Sequence, residues 1–182
     1  RSARWMGKAL AVGLRSAVVR RLVARNIKTA LERGSKLGSV PVELLPTPEA
    51  FQPWETCMTL NRTWGYNPHD TAYKSVKTVV HTLIEVASRG GNLLLNVGPD
   101  ADGQFPPEAV ERLQGVGKWL KVNGEAIYGT TYGEVQGLEY VRTTSKGDML
   151  YVHVLTWPAS GRVLLPRLGR RVQEVRALAN GR

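Results

Sequence analysis

The chain has 182 residues, 42% of them hydrophobic, and its 25 Lys and Arg against 15 Asp and Glu give a formal net charge of +10. This composition excludes a disordered polar chain, and no apolar run approaches the roughly 18 residues of a membrane-spanning helix. The charge is uneven: residues 1–36 hold ten cations and one acid, whereas residues 37–182 carry a net charge of +1. A uniformly basic protein is therefore excluded, and the single Cys57 excludes an internal disulfide framework.

The first 46 residues form a basic leader that leaves three interpretations open. Residues 9–24 place apolar side chains and arginines at roughly helical spacing. The segment could be a basic amphipathic helix that binds nucleic acid or an anionic membrane. It could also be an acid-poor targeting leader, or a solvated helix foreign to the rest of the protein. Trp5 is the one aromatic residue of the leader, which disfavours base stacking. We expect no nucleic-acid partner.

The pattern of apolar and turn residues over 47–132 predicts an alternation of strands and helices. The pattern indicates a strand over 54–60, a turn-rich loop over 61–70, and an amphipathic helix over 71–88 with Asp70 or Thr71 near its start. The apolar run 92–97 is typical of a parallel strand buried on both faces. A second helix is expected between Pro106 and Gly124. Short loops between these elements favour an α/β fold.

Residues 133–182 predict a separate all-β segment. Met149, Tyr151, His153 and Leu155 alternate with their neighbours after a Lys146–Gly147–Asp148 turn, which is typical of a hairpin strand. Further strands are expected at residues 163–165 and 172–177. The segment ends before a β-sandwich is complete, and His153 is expected to be structural.

Four residues around the first strand are candidates for ligand binding. Trp54 and Glu55 begin the strand, and Trp64 and Tyr66 lie in the loop that follows it. Aromatic side chains together with a carboxylate suit sugar recognition, because aromatic rings pack on C–H surfaces while carboxylates bind hydroxyls. The same residues are also consistent with core or rim aromatics, and the pattern alone does not decide between the two.

Metal binding is not expected. His81 and Glu85 lie four residues apart on the predicted helix, but no third ligand is spaced to join them. The Asp100–Gly103 turn lacks both end ligands of a calcium loop. Asn61–Arg62–Thr63 is a glycosylation sequon, a pattern that is frequent by chance.

Two stretches, WETCMTLNRTWGYN (54–67) and RGGNLLLNVGPDADGQFPPEAVERLQGVGKWLKVNGEAIYGT (89–130), resemble the end of the catalytic domain of α-L-fucosidases, glycoside hydrolase family 29. The resemblance covers residues 47–130 and continues more loosely through 150–158. It implies a (β/α)8-type barrel followed by a C-terminal β-sandwich, and retaining, exo-acting hydrolysis of terminal α-L-fucose without metal or cofactor. The expected fold is therefore a partial barrel, its last strands and helices, followed by an incomplete sandwich.

The resemblance also implies roles for individual residues. Glu49 in Thr47–Pro48–Glu49 resembles the family's acid/base position, and Trp64 matches an aromatic residue that packs against the methyl group of fucose. Glu55 and Tyr66 lie in matching motifs and are candidate substrate-binding residues. Retaining hydrolysis needs two carboxyl groups about 5–5.5 Å apart, one of them protonated to donate to the leaving oxygen.

The family's nucleophile is an Asp upstream of the acid/base residue, and this sequence has no Asp before Asp70. We therefore expect a fucosidase fragment that is inactive by itself, with a fucosylated glycan as the substrate of the family. The alternatives are a carbohydrate-binding remnant without catalysis, or nucleic-acid or membrane binding through residues 1–36. Members of the family are often secreted, periplasmic or lysosomal, and the sequence does not choose among these compartments.

Overall fold

The fold was analysed in a computed structural model that describes residues 9–14, 51–166, 168 and 171–179. Two α-helices, α1 and α2, and seven strands, β1 to β7, make up this part of the chain. In order they are β1 (Ala9–Leu14), β2 (Glu55–Thr59), α1 (Val76–Ser88), β3 (Asn92–Asn96), α2 (Pro107–Asn123), β4 (Thr131–Tyr132), β5 (Val141–Lys146), β6 (Met149–Val154) and β7 (Val172–Ala177).

Strands β2 and β3 form a parallel pair connected through helix α1. Cys57 lies opposite Leu94 in this register, and the ladder continues past the strand ends through Leu60 N, which donates to Asn96 O at 2.9 Å. A parallel pair needs a crossover connection, and the amphipathic helix supplies it. The α/β unit predicted from residues 54–124 is therefore present.

Both helices pack on one face of this two-stranded sheet. Apolar side chains of both helices form one buried cluster with Leu60, the residue after β2. The members of this cluster are Leu60, Val79, Val80, Ile84, Ala109, Val116 and Trp119. The opposite face is open, because Leu94 remains 45% exposed and Cys57 is exposed too. The prediction that β3 is buried on both faces is therefore wrong, since the described residues place nothing against its second face.

Helix α1 begins five residues later than the sequence predicts. Ser75 is its N-cap, with Ser75 Oγ accepting a hydrogen bond from Thr78 N at 3.1 Å. Asp70, one of the two residues predicted near the helix start, instead accepts hydrogen bonds within the preceding loop. The predicted end is confirmed: Gly90 follows the helix with φ 77°, a left-handed conformation that favours glycine.

The second sheet is antiparallel, with strand order β4-β5-β6-β1-β7. Strands β5 and β6 form the predicted hairpin around Gly147, which has φ 56°. One face of the sheet covers a core of Val135, Val141, Leu150, Val152 and Val154. The predicted strand at 172–177 is confirmed, whereas residues 163–165 form no strand; Val163 and Leu165 pack against this core instead, and Leu164 is exposed.

Strand β1 contradicts the helix predicted over residues 9–24. It lies between β6 and β7, with Val12 opposite Leu150 on one side and Val175 on the other. Two flanking strands satisfy backbone donors and acceptors on both edges of residues 9–14, and this pairing overrides the helical spacing of the sequence. Residues 15–24 lie outside the described part of the chain.

A cluster of charged residues joins the two parts of the structure. The carboxylate of Glu85, on α1, forms ion pairs with Arg89 and with Arg142 on β5. Gln136 Nε2 adds a hydrogen bond to Ser88 O at 3.3 Å. These contacts fix the antiparallel sheet against the carboxyl-terminal end of α1. Within the described residues, no helix is long and apolar enough to cross a membrane.

Candidate functional site

Two loops meet where the parallel strands end. The first, residues 60–75, follows β2, and the second, residues 97–106, follows β3. Asn96 Nδ2 reaches from the end of β3 to donate a hydrogen bond to Trp64 O at 2.7 Å. Gly98 lies directly against the backbone of Gly65 and Tyr66, so close that a Cβ there would be 2.5 Å from Tyr66 N. The two loops that the sequence places at one edge are therefore in contact.

Asp70 braces the first loop from within. Its carboxylate accepts hydrogen bonds from Arg62 N at 2.8 Å, Thr63 N at 3.1 Å and Ala72 N at 3.1 Å. Partial desolvation raises the pKa of Asp70, but these hydrogen bonds together outweigh it and hold the pKa below its ordinary value. Asp70 is therefore an ionised structural residue of the loop, since its oxygens are occupied by backbone donors.

Lys74 closes the base of the same loop. Its ammonium group donates to Thr59 O at 2.7 Å and to Asn61 O at 2.8 Å, and its backbone N–H donates to Leu60 O. The side chain of Asn61 is buried beneath the loop and accepts a hydrogen bond from Thr59 Oγ1 at 3.0 Å. Hydrogen bonds of Asn61, Asp70 and Lys74 thus hold the loop along its length.

Two aromatic side chains of this loop lie on the surface. Trp64 is 57% exposed and Tyr66 is 46% exposed, whereas Tyr73, at the end of the same loop, packs against the core. Exposed rings on a hydrogen-bonded backbone can pack against the apolar face of a ligand, because burying such rings removes much apolar surface from water. We call Trp64 and Tyr66 the aromatic platform; both belong to the group of four residues considered from sequence, and both follow β2.

Glu55 and Trp54 lie at the other end of the strand. Glu55 is the first residue of β2, and Thr59 lies four residue steps further along the strand, a distance of about 13 Å. Trp54 Nε1 donates to Arg89 O at 3.2 Å, and its ring lies against Gly91, so that Trp54 is part of the packing below α1. The structure does not bring the Glu55 carboxylate to the aromatic platform, in contrast to the grouping considered from sequence.

Glu49, the candidate acid/base, lies outside the described residues. The second loop contains two acids, Asp100 and Asp102. Asp100 accepts hydrogen bonds from Asp102 N at 3.0 Å and Gln104 N at 2.8 Å and so organises its own turn. Within residues 51–166 and the other described positions, no three His, Cys, Asp or Glu side chains are grouped as a metal site.

The two histidines considered in the sequence have structural surroundings. Burial lowers the pKa of His81, as do the positive charges of Lys77 and Arg142. His153 is buried with Nε2 at 3.0 Å from Thr144 Oγ1, and burial lowers its pKa to about 4. His153 is thus neutral near pH 7, which agrees with its predicted structural role.

Sequence reasoning missed the part played by Asn96. The sequence places it in a motif of interest without a role, whereas the structure makes it the side-chain link between the end of β3 and the Trp64 backbone. Its place as the polar residue that ends the apolar run Leu93–Leu95 was the available signal. Polar residues at the carboxyl ends of parallel strands lie at the edge where α/β enzymes commonly form their sites.

Parallel β-strands joined by a helix, with a hydrogen-bonded aromatic loop at their carboxyl ends, define an α/β protein with a candidate site at that edge. A family model described as alpha-L-fucosidase matches residues 5–125. The chain belongs to the α-L-fucosidase family, and its family is one of glycoside hydrolases. The match includes residues 5–46, although the division of the chain at residues 46 and 132 stays a prediction.

Individual relatives agree with the family model. The chain is 44% identical over 121 residues to an alpha-L-fucosidase of Branchiostoma floridae, covering 62% of this chain and 26% of that protein. Among solved structures it resembles alpha-L-fucosidase isoenzyme 1 from Paenibacillus thiaminolyticus, with 46% identity, a TM-score of 0.68, and coverage of 71% of this chain and 30% of that one.

A second solved structure is the Thermotoga maritima alpha-fucosidase in complex with fucose. Its identity is 40% and its TM-score 0.56, with coverage of 59% of this chain and 27% of that chain. The chain therefore spans between a quarter and a third of the length of these relatives.

Proposed function

We propose that this chain is a segment of a retaining exo-α-L-fucosidase and that it supplies one wall of the fucose-binding pocket. In this proposal β2, α1, β3 and α2 are the last units of a (β/α)8 barrel, and the antiparallel sheet begins the β-sandwich. The observation that carries the proposal is the exposed, backbone-braced pair Trp64 and Tyr66 at the carboxyl end of a parallel strand. Such edges are where barrel enzymes build their sites.

The chemistry divides between this chain and residues outside the printed sequence. An Asp carboxylate attacks the anomeric carbon as the carboxyl of Glu49 protonates the departing glycosidic oxygen, which leaves a covalent fucosyl ester. Glu49, now a carboxylate, then takes a proton from water, whose oxygen displaces the Asp and releases fucose. No Asp precedes Asp70 in this sequence, and Asp70 itself is bound by loop N–H groups. In this proposal the nucleophile is an Asp outside the printed sequence, because the family resemblance places it upstream of the acid/base residue.

The catalytic half of the proposal predicts that the purified chain does not hydrolyse an aryl α-L-fucoside above the uncatalysed rate. Release of the aryl group is followed by absorbance, with the Glu49→Gln variant as the matched control. Turnover that disappears in Glu49→Gln would show that the chain contains its own nucleophile and would overturn this half of the proposal.

The binding half is tested by titrating L-fucose while following tryptophan fluorescence. We expect a saturable change that is lost in Trp64→Leu. Trp157→Phe is the matched control, because Trp157 is also exposed, at 52%, but follows β6 in the antiparallel sheet. L-Galactose, which carries CH2OH in place of the methyl group of fucose, should bind more weakly. A chain that gives no response at any fucose concentration, or a response that survives Trp64→Leu, would contradict the site.

The second candidate function is carbohydrate binding without catalysis. The same aromatic platform supports it, since binding requires Trp64 and Tyr66 but neither catalytic carboxyl group. The two candidates differ in the effect of supplying the missing part of the barrel as a separate chain. A fucosidase segment gains hydrolytic activity that depends on Glu49, whereas a binding module gains none.

A further inference from the structure

The hydrogen bond from Asn96 connects the ends of two neighbouring strands. Asn96 Nδ2 lies 2.7 Å from Trp64 O and 3.4 Å from Thr59 Oγ1, so one amide spans from β3 to the end of β2 and to the loop beyond it. The backbone of Asn96 takes part as well, since its carbonyl accepts from Leu60 N at 2.9 Å. Asn96 is thereby held on the β3 ladder while its side chain holds the loop.

We propose that Asn96 is a positioning residue for sugar recognition, which acts by fixing the backbone of Trp64 and not by contact with the sugar. The proposal rests on the proposed function of the aromatic platform. The Trp64 carbonyl is bound whereas its indole is 57% exposed, so the hydrogen bond sets the orientation of a ring that has few packing partners of its own. Without the bond, the loop would sample other orientations and bind a flat ligand less well.

The chemistry of the side chain explains why an asparagine is needed. Its NH2 group donates, and a carbonyl oxygen can only accept. A carboxylate at the same place would turn an oxygen toward Trp64 O, and an apolar side chain of the same size would leave that carbonyl without this donor. Asn96→Asp and Asn96→Leu therefore preserve the shape of the residue and remove its function in two different ways.

The first arm of the test contains no sugar. The full chain is labelled with 5-fluorotryptophan, and the resonance of Trp64 is assigned by its loss in Trp64→Leu. We expect the Trp64 resonance to shift or broaden in Asn96→Asp and Asn96→Leu, while that of Trp157, which follows β6 of the antiparallel sheet, stays unchanged. A Trp64 resonance that is unaltered in both variants would overturn the proposal. Circular dichroism verifies folding, and if Asn96→Leu fails to fold, the isosteric Asn96→Asp decides.

The second arm measures fucose affinity. Loss of one positioning hydrogen bond should weaken fucose binding about fivefold, with the fluorescence amplitude at saturation unchanged. Affinity equal to that of the unaltered chain in both Asn96 variants would contradict the positioning role. If the unaltered chain binds no fucose but its Trp64 resonance responds to Asn96, the proposed function fails while the fixing of the Trp64 loop by Asn96 stands. The two failures are thus distinguishable.

A separate observation concerns the sequon Asn61–Arg62–Thr63. The Asn61 side chain is only 7% exposed, and both its amide atoms are engaged: Oδ1 accepts from Thr59 Oγ1 at 3.0 Å and Nδ2 donates to Thr63 Oγ1 at 3.4 Å. A glycan would be attached at that nitrogen, where the folded loop leaves no room for a sugar chain. We infer that this sequon is a structural turn and is not glycosylated in the folded protein.

The sequon is tested by producing the full chain in the secretory pathway of a eukaryotic host. We expect no mass change on treatment with peptide N-glycosidase. Pro158→Asn is the matched control, because it creates a second sequon, with the exposed Ala159 and Ser160, and should gain a glycan in the same cells. A folded, secreted chain that carries a glycan on Asn61 would overturn the inference.

Discussion

Gly98 is the point where the two site loops approach most closely, and Gly98→Ala tests whether that approach matters. A Cβ at this position would lie 2.5 Å from Tyr66 N and 2.6 Å from Gly65 C, both of them backbone atoms. Ordinary contacts begin at 3.4 Å, so the first loop must retreat by about 0.9 Å. A backbone cannot rotate out of the way as the end of a side chain can, and the whole turn must move.

The size of the effect follows from that displacement. Retreat by this amount lengthens the 2.7 Å hydrogen bond between Asn96 Nδ2 and Trp64 O beyond bonding distance. Overpacking contributes about 1–3 kcal/mol, and loss of the hydrogen bond about 1 kcal/mol. We therefore expect Gly98→Ala to lower the free energy of unfolding by roughly 2–4 kcal/mol and to abolish the fluorescence response to fucose.

Gly65→Ala is the matched control in the neighbouring loop. A Cβ at Gly65 meets nothing within 4 Å, and its φ is outside the left-handed region. The same chemical change should therefore be neutral or stabilise by about 0.5 kcal/mol, because alanine reduces the freedom of the unfolded chain. Urea denaturation followed by circular dichroism measures both variants. Equal unfolding free energies for Gly98→Ala and Gly65→Ala would refute the reasoning.

Three further predictions concern the scaffold. Glu85→Gln removes the carboxylate that pairs with the largely buried Arg142, and it should lower the free energy of unfolding by about 1–3 kcal/mol. Glu111→Gln, the control at an exposed ion pair, should change it by less than about 0.5 kcal/mol. Equal effects of the two variants would contradict this prediction. Burial lowers the pKa of His153 from 6.5 to about 4, so on acidification the unfolded state takes up the proton before the folded state does. The contribution of neutral His153 to the free energy of unfolding should therefore be complete above pH 6.5 and fall by about 3 kcal/mol toward pH 4. His153→Gln should remove that part of the slope, and an unchanged slope would argue against it. Ser75→Ala deletes the cap of α1 and should lower stability by about 1 kcal/mol; calorimetry showing no change would exclude a capping contribution.

Local signals were sufficient for most of the helices and strands. The prolines before α2 and Gly124 after it predicted that helix within a residue, because they act through the backbone of their own position. The start of α1 was not predictable in the same way, since Asp70 and Ser75 are both good caps. The choice depends on where the Asp70 carboxylate lies relative to the backbone of Arg62 and Thr63, a contact across the loop.

The strand at residues 9–14 shows the limit of periodicity. Its apolar run is followed by arginines at helical spacing, so the sequence favoured a helix. Pairing with β6 and β7, 130 or more residues further along, is invisible in a local pattern. Secondary-structure propensity is weak beside hydrogen bonding on both edges of a strand, and the distant partners decide the outcome.

The sequence by itself determined the concentration of positive charge in residues 1–36, the α/β order of elements, the family resemblance and the placing of Trp64 and Tyr66 in the loop after the first strand. The structure showed that Glu55 does not join these aromatic residues, because a strand extends about 3.3 Å per residue and carries Glu55 away from the aromatic loop. It also decided that Asn96 holds that loop. Residues of one short segment, such as Glu55 and Trp64, can lie toward opposite ends of a strand, and residues 32 apart can share one hydrogen bond, because a parallel crossover returns the chain to the same edge.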